Sequence, residues 1–212
     1  YFVFGDYLDL SVTGDVYSLG SWSVDVNSRY KINYKASGNF SINYSHDQTG
    51  EKGTPEFFTS SNFGVKWSHS QDSKARPGTS FSASVNFSSP SNSKYNSHSI
   101  NEAIQSQVSS SISYGRNWNG KMNLNLSILH SQNSRDSSYT FQLPNVTFSV
   151  STLYPFKRKN RVGKERFYEK ISFGYNTTLQ NKINFKASEF NLKDPSFFDR
   201  FTNGMAHNFS IG

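Results

Sequence analysis

Six basic residues and one acid fall within ten positions at Lys157-Arg158-Lys159-Asn160-Arg161-Val162-Gly163-Lys164-Glu165-Arg166. Ammonium groups meet a phosphate as point charges, and guanidinium groups meet it as a fork of donors. Lys157, Arg158, Lys159, Arg161, Lys164 and Arg166 are therefore the candidate contacts for phosphate-bearing lipid. The competing reading is a solvated loop that its charge keeps out of a bilayer.

A second constellation invites a nucleophile and a base. His69-Ser70-Gln71-Asp72-Ser73-Lys74 echoes His130-Ser131-Gln132-Asn133-Ser134-Arg135. Ser68 and Ser70 adjoin His69, but neighbours along a strand point to opposite faces and cannot pair. The echo is then expected to be a duplicated hairpin end, where Asp, Asn and Ser bond the backbone of a turn. His46, His98 and His207 stand alone, and the carboxylates scatter over loops without pairing. The expectation is no catalytic residue, no metal, no cofactor, and no enzyme.

The elements that must carry these residues are short segments in which apolar residues alternate with Ser or Asn. Phe81-Ser82-Ala83-Ser84-Val85-Asn86-Phe87 and Phe40-Ser41-Ile42-Asn43-Tyr44 show the pattern. Each such segment, as a strand, has one apolar face and one small, uncharged, polar face. Soluble sheets place Lys and Glu on the wet face. A transmembrane barrel needs lipid outside and a polar lumen inside, and this pattern supplies both. Phe81, Ala83, Val85 and Phe87 are expected to face lipid, and Ser82, Ser84 and Asn86 the lumen.

Composition agrees. Only 34% of the 212 residues are hydrophobic, yet the chain holds 19 Phe, 12 Tyr and 3 Trp. Several aromatics, such as Tyr44, Trp67, Tyr114 and Tyr139, lie near segment ends, as interfacial girdles require. Cysteine is absent, which excludes disulfides and thiolate metal sites. Net charge is +7, but the cations sit at segment tips and form no stripe along a face, which argues against nucleic acid as partner. Both ends fall in mid-alternation, so residues 1–212 are expected to be part of a barrel domain cut within its sheet at both ends.

The alternation predicts an all-β fold: an antiparallel transmembrane barrel, here an incomplete open segment of about ten strands. Turns are expected near Thr13-Gly14-Asp15 and between Asn27 and Lys31. Asn119-Gly120 suits a tight hairpin turn. A long strand from Tyr139 to Val150 contains Pro144, which removes a ladder donor, so a bulge or register shift is expected there. Ile183, Phe185 and Ala187 are expected in a separate short hairpin, and one helical turn is allowed over Asn101 to Gln107. Loops near 47–61 and 88–105 share one side by strand count. The basic loop near 152–167 falls on the other, periplasmic side, against the rule that periplasmic turns are short, so it is either an exception or the strand count slips by one.

Several longer stretches carry a resemblance. Ser68-His69-Ser70-Gln71-Asp72 with Lys74-Ala75-Arg76-Pro77-Gly78, Leu143-Pro144-Asn145-Val146-Thr147-Phe148-Ser149-Val150, Tyr154-Pro155-Phe156-Lys157-Arg158-Lys159, and Val162-Gly163-Lys164-Glu165-Arg166-Phe167-Tyr168-Glu169-Lys170-Ile171-Ser172 are similar to the LptD family in its Bacteroidetes-type form. So is Asn203-Gly204-Met205-Ala206-His207. The family consists of lipopolysaccharide-assembly proteins of the Gram-negative outer membrane. The resemblance implies a middle portion of a very large barrel that inserts lipopolysaccharide into the outer leaflet. Implied partners are lipopolysaccharide, outer-membrane lipid, a plug lipoprotein and periplasmic bridge proteins. The family's jellyroll and its lateral opening have no counterpart in the chain, so no gate residue is carried over. The absence of cysteine departs from the disulfide-linked proteobacterial members. The rival readings are another outer-membrane porin or transporter barrel, and a secreted β-rich adhesin.

Overall fold

The computed structural model describes residues 1–90, 92, 107–158, 163–164, 166–191 and 193–212. Eleven strands follow one another in a single antiparallel sheet whose spatial order is the chain order. They are β1 (Phe2–Phe4), β2 (Leu8–Val16), β3 (Trp22–Ile32), β4 (Ala36–Thr49), β5 (Phe58–Gln71) and β6 (Thr79–Ser88). Then come β7 (Gln107–Trp118), β8 (Met122–Asn133), β9 (Ser138–Leu153), β10 (Phe173–Lys186) and β11 (Thr202–Ile211). From β3 to β11 each strand has 10–16 residues, matching the ~9–11 that a tilted strand needs to cross a bilayer.

Cross-strand register fixes the two faces. Val26 pairs with Ile42, Ile42 with Val65 and Val65 with Phe87. Further along, Tyr114, Leu126, Val146, Leu179 and Met205 form one continuous apolar row. The alternate row runs Ser82, Ser113, Ser127, Asn145, Gln180 and Gly204. Phe81, Ala83, Val85 and Phe87 thus share the apolar face, with Ser82, Ser84 and Asn86 on the other. Inside central strands, Val24, Ile42 and Ile128 remain 36%, 37% and 44% exposed. An uncovered apolar face spanning a whole sheet calls for an apolar covering medium.

The turns correct three expectations. Thr13-Gly14-Asp15 lies inside β2, where Gly14 pairs with Val24 and the alternation of Val12, Gly14 and Val16 continues unbroken. The chain reverses at 17–21 instead, with Gly20 at φ 89°. No turn interrupts 27–31, because β3 runs through it and reverses at 33–35. Ile183 and Phe185 belong to the same strand as Tyr175 and Leu179. β10 keeps its apolar parity across a register shift between Gln180 and Lys182, so no separate hairpin forms. The strand count is eleven because Phe2–Phe4 pairs as a strand of its own. The expected helical turn over 101–107 lies almost wholly outside the described residues.

Other expectations hold. Asn119 and Gly120 both have positive φ, 51° and 70°, and Lys121 N–H bonds the Trp118 carbonyl at 2.9 Å, which is the tight hairpin geometry. Register slips opposite Pro144 on both neighbours, between Ser127 and Leu129 and between Gln180 and Lys182.

Gly38 marks a close cross-strand approach on the apolar face. The Tyr30 ring lies over it, and a Cβ there would run into the Tyr30 hydroxyl and the Ser68 carbonyl. That hydroxyl sits 2.6 Å from His69 Nδ1 and accepts the Trp67 indole N–H at 3.1 Å. Gly38→Val is expected to displace Tyr30 and cost about 1–3 kcal/mol. Heat-dependent gel migration of the full-length barrel checks it, with Ser37→Val on the polar face expected to be near neutral.

The sheet parts locally where β6 meets β7. Their ladder stops at Ser84 and Ser111. Beyond it, Ser110 Oγ accepts the Asn86 N–H at 2.9 Å and donates to the Asn86 carbonyl at 2.7 Å, replacing the missing ladder bonds. The Gln132 amide donates to the Ser88 carbonyl at 2.8 Å. Phe87 then reaches His130 and Tyr139, with centroids 5.2 and 6.1 Å away. The 187–201 connection folds onto the same aromatic surface. Its short helix α1 (Ser196–Asp199) places Phe197 against Phe185 at 5.1 Å. Tyr139, Ile183, Phe185 and Phe197 are buried together there.

Candidate functional site

The connections sort onto two rims. One carries 5–7, 33–35, 72–78, 119–121 and 154–172; the other carries 17–21, 50–57, 89–106, 134–137 and 187–201. Three of the first five are only three residues long. The basic connection shares that short-turn rim, as the strand count predicts.

Its two arms are strapped together. Arg158 Nε donates to Glu169 Oε1 at 2.5 Å, and Glu169 is 3% exposed. The other carboxylate oxygen accepts the Arg166 backbone N–H at 3.1 Å, at the start of a 3-10 turn over Phe167–Lys170. Tyr168 hydroxyl receives Arg166 at 3.2 Å and Arg158 at 3.4 Å. The Glu169 carboxylate holds the Arg158 guanidinium above its ordinary range. Lys157 Nζ lies over the Tyr154 ring at 5.2 Å. Lys164 and Arg166 are exposed, as are Tyr154, Phe156 and Phe167. Lys159 and Arg161 lie outside the described residues.

Of the candidate phosphate contacts, then, Arg158 is committed to a buried carboxylate. Lys157, Lys164 and Arg166 are exposed, Lys157 lying over the Tyr154 ring and Arg166 over the Tyr168 ring. Removing the strap should loosen the loop. In Glu169→Ala, trypsin is expected to cut within 157–166 several-fold faster than in the parent. Glu189→Ala, at the opposite rim, should leave that rate unchanged.

The histidine repeats resolve into hairpin ends at opposite rims. Asp72 Oδ1 accepts the Lys74 N–H at 2.8 Å, and Asn133 Oδ1 accepts the Arg135 N–H at 3.0 Å. His69 faces the apolar side, and Ser68 and Ser70 face the polar side. One Ser–His contact escapes sequence reasoning because it crosses strands: Ser110 Oγ lies 3.1 Å from His130 Nδ1. The Ser110 proton already goes to the Asn86 carbonyl, so His130 must be the donor in that contact. A base that donates cannot activate the hydroxyl. His46 and His207 sit in strands, His46 beside Ser61 at 3.1 Å and His207 beside the Tyr175 hydroxyl at 2.8 Å. His98 lies outside the described residues. Among the described residues no three His, Cys, Asp or Glu side chains gather as a metal site.

The polar face is hollowed beside β1–β5. A cleft of about 1030 Å³ is lined there by Asp9, Asn27, Arg29, Asn39 and Ser68, among others. Within it Arg29 Nε lies 3.8 Å from Asp9 Oδ2. Hydroxyl and amide groups dominate this surface. They offer both donors and acceptors to sugar hydroxyls, and Leu8, Tyr30 and Phe40 add apolar walls to the cleft.

A family model described as "LptD protein" matches residues 1–212, the whole chain. Among curated proteins none matches the chain.

Proposed function

The chain belongs to the LptD family, an outer-membrane family that takes part in lipopolysaccharide transport and assembly, and on that footing we propose that residues 1–212 form part of the wall of a barrel that inserts lipopolysaccharide into the outer leaflet. The observation that carries this reading is the two-faced sheet of eleven consecutive strands. Its apolar face is uncovered over central strands, as lipid contact requires, and its polar face is hydroxyl- and amide-rich, as a lumen requires.

The work of such a wall is non-covalent. Ser, Thr and Asn side chains of the inner face exchange hydrogen bonds with a passing saccharide. The outer face keeps the wall in the bilayer. Lipopolysaccharide, a plug lipoprotein and periplasmic bridge proteins are the partners this role needs. Lys157, Arg158, Lys159, Arg161, Lys164 and Arg166 contact the phosphate of lipid or lipopolysaccharide, with Arg158 also bracing the loop on Glu169.

The test is made in the full-length protein, in cells depleted of the native copy. Surface lipopolysaccharide is measured after complementation, with photocrosslinkers at Lys157, Lys164 and Arg166. Crosslinks to lipopolysaccharide or lipid during active transport are expected. Crosslinks to protein alone, with transport unchanged when the six cations are neutralised, would reduce the loop to a solvated connection. Full surface delivery without residues 1–212 would remove the transport reading itself.

A further inference from the structure

The connections of the sheet are sorted by charge. In the described residues of the short-turn rim, nine cations face three acids, namely Asp6, Asp72 and Glu169. Among the described residues of the opposite rim, four cations face six acids. The cations are not confined to the 154–172 connection. Lys35, Lys74, Arg76 and Lys121 carry the charge along successive turns from β3 to β8. Turns on one rim of an antiparallel sheet recur every second strand, so they stand ~10 Å apart. The result is a continuous basic belt, not a single basic loop.

Aromatic rings accompany the belt. Arg116 lies over Trp118 at 5.0 Å, Lys157 over Tyr154 at 5.2 Å and Arg166 over Tyr168 at 6.0 Å. Aromatic side chains settle at the headgroup level of a bilayer, and a cation held on the ring then sits among the headgroups. Three of this rim's five connections are only three residues long, as is usual for the periplasmic turns of such barrels, where the leaflet is phospholipid.

We propose that the short-turn rim is a docking surface for anionic phospholipid headgroups of the periplasmic leaflet. Charge complementarity selects the partner, and the turn lengths select the leaflet. The inference rests on the reading of the sheet as a barrel wall. It goes beyond that reading by naming the lipid class and by extending the contact from one loop to the whole rim. The net acidic character of the opposite rim excludes a surface that attracts anionic lipid equally on both sides.

The experiment uses the full-length protein in nanodiscs containing phosphatidylethanolamine, phosphatidylglycerol and phosphatidylcholine, with the co-purifying lipid counted by native mass spectrometry. The parent is expected to enrich phosphatidylglycerol over phosphatidylcholine roughly three-fold, as a polybasic surface does at an anionic membrane. Half-molar salt should erase most of that preference. The variant Lys35→Gln/Arg76→Gln/Lys121→Gln/Lys164→Gln should lose it. Glu51→Gln/Glu56→Gln/Asp194→Asn, at the opposite rim, should keep it. If the quadruple variant does not fold, the salt dependence of the parent decides.

Three results would overturn the proposal: no enrichment in the parent, enrichment that survives in the folded quadruple variant or in salt, or a parent that takes purified lipopolysaccharide in place of phosphatidylglycerol. Protease protection of β2–β11 in the same nanodiscs separates this outcome from failure of the barrel reading. Protected strands without lipid preference sink only the inference about the rim.

Discussion

Replacing Ile112 with Arg is expected to cost about 2–4 kcal/mol, the cost of a charge on the lipid face near mid-membrane, and to abolish assembly of a marginal barrel. Ile112 stands at the middle of β7, paired with Ala83 on one side and Ile128 on the other. Its neighbour Ser113 pairs with Ser82 and Ser127, and its hydroxyl lies 2.9 Å from that of Ser82. Ser113→Arg places the same charge on the polar face, where it stays hydrated. It is expected to fold with a change near the ~0.5 kcal/mol scale of ordinary surface substitutions. Urea titration of the full-length protein in lipid, followed by heat-dependent gel migration, reads both. A mild Ile112→Arg and a severe Ser113→Arg would reverse the assignment of faces.

The second large effect is expected from Phe185→Ala. Phe185 stacks on Tyr139 at 5.6 Å and on Phe141 at 5.9 Å, and Phe197 caps it edge-on. With Phe190 at 5.5 Å as a fourth neighbour, truncation leaves a hole among four rings and is expected to cost about 3–5 kcal/mol. It should also release the 187–201 connection, measured as faster proteolysis after Phe190 and Phe198. That connection has a second tie. Arg200 Nη2 donates to Glu189 at 2.8 Å, and this bond holds the Glu189 carboxyl below its ordinary range. A depressed carboxyl contributes stability above its unfolded value and loses it as pH falls through the folded one. Proteolysis of the connection should therefore quicken on acidification, and less so in Glu189→Gln. An unchanged rate in Phe185→Ala would mean that the aromatic cluster does not anchor the segment.

What was legible in the sequence follows from which interactions are local. Parity is local: once Phe81, Ala83, Val85 and Phe87 alternate with Ser and Asn, a strand can put them only on one face. The Asn119-Gly120 turn and the register slip at Pro144 were legible for the same reason, because positive φ and a missing N–H belong to single residues. Gly14 misled because glycine signals a turn by itself, and only the pairing of Val12 and Val16 with β3 keeps it inside a strand. Ile183 misled in the same way, since Asn181-Lys182 reads as a turn until β9 is laid beside it.

The candidate site shows the other limit. Six clustered cations were visible as charge. The commitment of Arg158 to Glu169 was not, because eleven positions separate them and a 3-10 turn brings them together. The Ser110–His130 contact joins adjacent strands and depends on a register that no local pattern specifies. The outer aromatic cluster was hidden for a related reason. Phe87 meets Tyr139 where β6 leaves β7 at Ser84, and Phe197 joins through Phe185 from a connection distant in sequence.

The central claim is that the odd-and-even division of these strands is a division between lipid and lumen. The chain contributes no cysteine of its own, so single cysteines at 110 to 114 in the full-length protein can carry nitroxide labels, with accessibility to oxygen and to a water-soluble nickel chelate measured in lipid. Positions 110, 112 and 114 should favour oxygen, and 111 and 113 the nickel chelate, in strict alternation. Equal accessibility at both parities, or oxygen preference at 111 and 113, would contradict the account.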